Sequence, residues 1–121
     1  MRFLCDAVFP QTLSSEAPAE VEFVRWDRSD VSDAELVRAS GERGCRGVIF
    51  WGQDSLQQVD LREIAQEIGV ALVAVEADDP IDAKQRILKN LSRLRRKLDE
   101  YDCLIVLANE VRLADIGCLK Q

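Results

Sequence analysis

Along the chain, short apolar runs alternate with longer segments in which apolar residues recur at helical spacing, the pattern of a parallel sheet covered by helices. Arg2 to Ala7 reads as the first strand. In "PQTLSSEA" a short helix can start at Pro10, because proline's fixed φ suits a first turn. Val21 to Trp26 is the second strand, with Val21, Phe23 and, by the same alternation, Arg25 on one side. Ser32 to Glu42 is helical, with Leu36, Val37 and Ala39 inward, and "RGCRG" stops it at Gly44 or Gly47. Val48 to Trp51 is the third strand.

From Leu56 to Ile68 the apolar positions Leu56, Val59, Leu61, Ile64, Ala65 and Ile68 keep helical spacing. Gly69 closes that helix before the strand Val70 to Val75. "DDP" at Asp78 to Pro80 then opens the longest predicted helix, Ile81 to about Asp99, with Ile81, Ile87, Leu88, Leu91, Leu94 and Leu98 as its stripe. Two short strands end the pattern, Cys103 to Leu107 and Val111 to Leu113, turning through Asn109 and Glu110. The expected class is α/β, a mostly parallel sheet with an antiparallel C-terminal hairpin at its edge.

Length and composition make this one domain. At 121 residues, 47% hydrophobic and 31% charged, the chain can bury a core without disulfides or a structural metal, and no linker or repeat divides it. The expected domain is 1–115, with 116–121 as a tail. "MRFLCDAVF" lacks a signal peptide's apolar run, and Val70 to Val75 is too short to span a bilayer, so a soluble, cytoplasmic protein is expected. Cys5, Cys45, Cys103 and Cys118 form no CxxC, and there is no histidine to complete a mixed zinc site. They read as small buried hydrophobes.

Charge adds one asymmetry. The net charge is −6, yet Ile81 to Leu98 holds seven basic residues against Asp82 alone, so this segment is +6 and the rest of the chain −12. Such a helix on an acidic body can meet RNA or an acidic partner through Lys84, Lys89, Arg93 and Arg96, or be a solvated face beside the protein's own acids.

Open parallel sheets bind ligands beyond the carboxyl ends of their strands, near a reversal of strand order. There the sequence offers Asp6 after the first strand, Asp54 after the third, and Glu76, Asp78 and Asp79 after the fourth. Asp33 and Glu35 open the helix after the second. Acids without histidine or clustered thiolates select hard cations, Mg²⁺ or Mn²⁺, which activate water and neutralise charge in phosphodiester hydrolysis. Each acid also has a plain alternative. Ser32-Asp33-Ala34-Glu35 is a capping box, Asp78 and Asp79 precede Pro80 as caps, and Asp54 can cap the helix from Leu56. Asp6, right after Phe3-Leu4-Cys5, needs a partner, a metal or water.

"FLCDAVFP" at the start, "SDAELVRASGERG" before "GVIFW", and "CLIVLANEVRLAD" at the end resemble the small PIN-like proteins related to the Mut7-C ribonuclease domain, over nearly the whole chain. The resemblance implies a PIN-like three-layer α/β/α sandwich. It also implies a Mg²⁺- or Mn²⁺-dependent ribonuclease, often the toxin of a bacterial toxin–antitoxin pair, with an RNA substrate or an antitoxin protein as partner and a possible homodimer. Asp6 matches the family's first acid, and Asp33 with Glu35 its acidic helix start. Asp6, Asp54 and one of Glu35 or Asp33 would then hold the metal, all four in the same catalytic set. The chain departs from the pattern after strand three, where the family has roughly T-x-D-x-D-F and this sequence has Gln53 and Ser55 at the acid positions, with Asp54 shifted by one. Ala7 stands where the family often has glutamate. The leading expectation is the ribonuclease; Gln53 and Ser55 favour the alternative, a PIN-like domain without catalysis that acts as a binding or assembly module. A receiver-like or nucleotide-binding domain is a weaker third reading, since there is no GxGxxG or P-loop.

Overall fold

The computed structural model describes residues 1–10, 12–26, 32–52 and 54–114. The expectations for Gln53, Cys118, the boundary at Asp115 and the tail 116–121 lie outside them. The elements in order are β1 (Arg2–Cys5), α1 (Thr12–Glu16), β2 (Glu22–Arg25), α2 (Asp33–Glu42), β3 (Gly47–Trp51) and a 3-10 turn (Asp54–Gln57), then α3 (Val59–Ile68), β4 (Ala71–Val75), α4 (Pro80–Lys89), α5 (Leu91–Lys97), β5 (Cys103–Val106) and β6 (Val111–Leu113).

All six strands form one sheet in the order β2-β1-β3-β4-β5-β6, parallel except for the antiparallel β5–β6 hairpin. Because both faces are covered, β4 is buried along its whole length and reads as a continuous apolar run. Alternation still sorts its side chains. Ala71, Val73 and Val75 join Phe3, Phe23, Ile87 and Leu94 under α1, α4 and α5, while Leu72 and Ala74 join Leu4, Leu36, Val37, Leu61 and Ala65 under α2 and α3. The result is a three-layer α/β/α arrangement, with Phe3 and Phe23 stacked at 5.7 Å between ring centroids across β1 and β2.

Glycine spacing sets two joints. Gly69, at φ +87, ends α3 in the left-handed region as expected. Gly47 belongs to β3 rather than to the end of α2: a Cβ there would lie 2.8 Å from the Ala71 carbonyl oxygen, so a side chain would force the strands apart. The stop after α2 is Gly44, next to the cap residue Arg43.

Three sequence expectations need correction. The helix expected over Ile81 to Asp99 is two helices, interrupted at Asn90. Asn90 is 1% exposed, and its Nδ2 donates to the carbonyls of Arg86 (2.9 Å), Leu107 (3.0 Å) and Ala108 (3.3 Å), while its Oδ1 accepts from Arg93 Nη1 (2.8 Å). A side chain that bonds backbone carbonyls competes with the helical ladder and turns the chain. Ile81 is 61% exposed, because the inward stripe runs through Ala83 and Ile87, and Ile81 lies two residues before Ala83 on the other side of the helix. Finally, α3 starts at Val59 rather than Leu56. Leu56 is buried in the 3-10 turn, whereas Val59 faces solvent.

Cys5, Cys45 and Cys103 are buried, as expected of small hydrophobes. Burial pushes the Cys5 thiol far above its ordinary 9.0, with smaller contributions from Cys45 and Asp6. Burial also raises Cys45, against the lowering influence of Arg2 and Arg43. A thiol held neutral in the fold supports stability below 9.0, and that support is lost at higher pH, as the unfolded chain ionises while the fold retains its proton. Urea unfolding from about pH 8 to about pH 10.5 should therefore show falling stability, and a shallower fall in Cys5→Val. An equal slope in the variant would assign the loss to other groups.

Candidate functional site

β1 connects outward to β2 on one side and pairs with β3 on the other, so the strand order reverses between β1 and β3. In open parallel sheets a ligand binds in the crevice beyond the carboxyl ends at such a reversal. Asp6 follows β1 directly. Its N–H donates to the Ile49 carbonyl of β3 (3.2 Å), and its own carbonyl accepts from Phe9 N (3.2 Å), which folds the chain into a turn. Arg25, at the end of β2, holds that turn from outside: Nε donates to the Phe9 carbonyl (2.9 Å) and Nη2 to the Ala7 carbonyl (2.7 Å). The planar guanidinium thus fixes the backbone beside Asp6 by two donors at once.

β3 leaves the sheet at Trp51 and Gly52. Gly52, at φ +89, makes a turn that a side chain would strain, and its N–H donates to the Val75 carbonyl (2.9 Å). The chain then enters the 3-10 turn, where Asp54 is exposed and Ser55 is 8% exposed. Ser55 Oγ donates to Asp33 Oδ2 at 2.8 Å, and Gln58 Nε2 donates to the same oxygen at 3.2 Å. Asp33 is the first residue of α2, whose Ser32 cap accepts from Glu35 N (3.2 Å). The helix start therefore supplies a carboxylate, favoured by the N-terminal end of the dipole, and the turn after β3 supplies two neutral donors to it.

The expected acid set divides accordingly. Asp33 is half-buried and bound to the turn, Asp6 is half-buried after β1, and Asp54 and Glu35 are exposed. Among the described residues no group of three or more aspartate, glutamate, cysteine or histidine side chains is placed to hold a metal ion. Asp54 belongs to the first turn of the 3-10 segment, while α3 has Gln58 as its cap, without a side-chain bond. Asp79 caps α4 through a bond from Asp82 N (2.8 Å), so of the two acids of "DDP" it is Asp79 that bears out the capping reading.

Beyond β4, Trp51 Nε1 donates to the Ala77 carbonyl (2.9 Å), and Arg86 is occupied by the Glu76 carbonyl (2.6 Å) and Asp82 (3.2 Å). The expected basic contacts are likewise partly engaged. Lys84, with a side chain 12% exposed, binds Glu16 (2.5 Å) and Thr12 (3.1 Å), so it ties α1 to α4 instead of facing solvent. Lys89 binds Asn109, and Arg93 binds Asn90. Arg96 stays exposed, and with Arg93, Lys97, Glu100, Glu110 and Val111 it lines a cleft of about 480 Å³ between α5 and the start of β6.

Sequence reading had singled out Ser55 only as a departure from a pattern, and had no role for Gln58 or for the fork of Arg25. Their partners lie 22, 25 and 16 to 18 positions away, contacts that no local periodicity encodes. No helix among the described residues is long and apolar enough to cross a membrane. No family model matches this chain, and neither a curated protein nor a solved structure matches it.

Proposed function

We propose that this chain is a PIN-like domain that works as a binding or assembly module, its acidic crevice held together by hydrogen bonds in place of a cation. The observation that carries this reading is the bond from Ser55 Oγ to Asp33 Oδ2, supported by Gln58. Mg²⁺ and Mn²⁺ sites are built from anionic oxygens and water. Ser55 occupies a position where the resembled pattern has an acid, and it contributes a hydroxyl proton instead of a negative charge. The carboxylate of Asp33 is balanced by two donors and a helix N-terminus, so the crevice keeps its shape without a metal.

A second reading keeps the ribonuclease. Its support is that Asp6 and Asp54 follow two adjacent strands across the switch point, where one or two carboxylates with substrate phosphates could hold Mg²⁺ or Mn²⁺. Calorimetric titration with Mn²⁺ separates the two. The module reading expects no heat of binding at millimolar metal in the wild type, Asp6→Asn or Asp54→Asn. Saturable binding by the wild type that both variants lose would replace it with the nuclease.

A further inference from the structure

The open side of β6 has the geometry of an incomplete sheet. In the β5–β6 ladder, Leu107 N donates to the Glu110 carbonyl (2.8 Å), Ala114 N donates to the Cys103 carbonyl (3.1 Å), and Arg112 stands opposite Ile105. Glu110, Arg112 and Ala114 therefore turn their backbone groups toward β5. By the alternation of an antiparallel ladder, Val111 and Leu113 turn theirs away from β5. No strand among the described residues pairs there. Free, regularly spaced donors and acceptors at a sheet edge are a template for one more strand.

The charge around this edge selects the strand. On one face, the cleft between α5 and β6 presents Arg93, Arg96 and Lys97 against Glu100 and Glu110. Arg96 and Lys97 have no ion pair or side-chain hydrogen bond among the described residues. On the other face the exposed Arg112 adds a fourth cation. A protein of net charge −6 thus sets four cations against two carboxylates, Glu100 and Glu110, around this edge. We infer that β6 receives an extended acidic segment of a partner protein as a seventh strand, with alternate carboxylates directed at Arg96 and Lys97. This rests on the module reading and names the surface and partner class for it. Backbone donors at strand spacing suit a peptide better than RNA, and a second copy paired on the same edge would bring identical cations together.

The test titrates the isotope-labelled full chain with a short peptide of alternating valine and glutamate, its lysine counterpart, and a single-stranded RNA oligonucleotide, reading amide shifts by NMR. The expected result is saturable binding of the glutamate peptide, with the largest shifts at Val111 and Leu113 and no saturation by the lysine peptide. The double variant Arg96→Glu, Lys97→Glu should bind at least ~10-fold more weakly. Val111→Pro should also weaken binding, because it removes an outward N–H that β5 does not use; if that variant does not fold, the charge reversal alone decides. Absence of binding, equal binding of the lysine peptide, RNA on the same amides, self-association through them, or indifference to the charge reversal each overturns the inference. The Mn²⁺ titration keeps the two claims apart: a metal site lost in Asp6→Asn removes the module reading, whereas no metal and no peptide binding removes only this edge.

Discussion

Ser55→Asp should make the protein one that Mn²⁺ stabilises more than it stabilises the wild type. The wild-type hydroxyl lies 2.8 Å from Asp33 Oδ2 in a position 8% exposed, so an aspartate there sets two carboxylates together with little water between them. Like charges at that separation repel, and either a proton or a divalent cation relieves them. The variant should lose about 1–3 kcal/mol at neutral pH, the usual cost of a buried polar group without a partner. It should recover in mild acid, and Mn²⁺ at about 100 times its Kd would restore about 2.7 kcal/mol by mass action. Thermal unfolding of both proteins with and without Mn²⁺ reads all of this. An equal metal response in the wild type would mean that the crevice already holds a cation and that Ser55 does not decide its chemistry.

The framework of that crevice was legible in the sequence because it depends on short-range rules. Val48 to Trp51 and Val70 to Val75 are apolar enough to be strands covered on both faces, "SDAE" marks the start of α2, and "DDP" that of α4. The strands fix where Asp6 and Asp54 leave the sheet. What they leave open is which side chain turns inward. Ser55 and Asp54 are neighbours in one tight turn, and only the fold shows that the serine is buried against Asp33 while the aspartate is exposed. Lys84 illustrates the same limit on the basic side. Helical spacing set it among cations for a ligand, but packing of α1 against α4 gave it Glu16.

Asn90 was the least legible residue, since an apolar stripe continues from Ile87 through Leu91 and Leu94 with the period of an unbroken helix. What interrupts the helix is a long-range demand. The carbonyls of Leu107 and Ala108, in the turn between β5 and β6, have Asn90 Nδ2 as their side-chain partner at 3.0 and 3.3 Å. The same residue orients Arg93 in the cleft beside β6. It therefore joins the end of α4, the hairpin and the basic border in one network.

Asn90→Ala should accordingly cost about 1–3 kcal/mol, from the lost bonds of a buried amide to the hairpin carbonyls of Leu107 and Ala108. Asn90→Leu tests whether those bonds are what matters. Leucine matches the apolar surroundings but supplies no donor, so if the network is what stabilises the joint, it should be no better than alanine. Urea unfolding gives the stability, and hydrogen exchange at Arg112 and Ala114 gives the location, because the hairpin should open more often than β3 or β4 in both variants. A uniform rise in exchange across the sheet would instead make Asn90 a general core residue. If exchange rises at the hairpin alone, β6 is an edge whose readiness to accept another strand is maintained from inside the α4–α5 joint, and loosening that joint should weaken binding of an acidic peptide even with Arg96 and Lys97 in place.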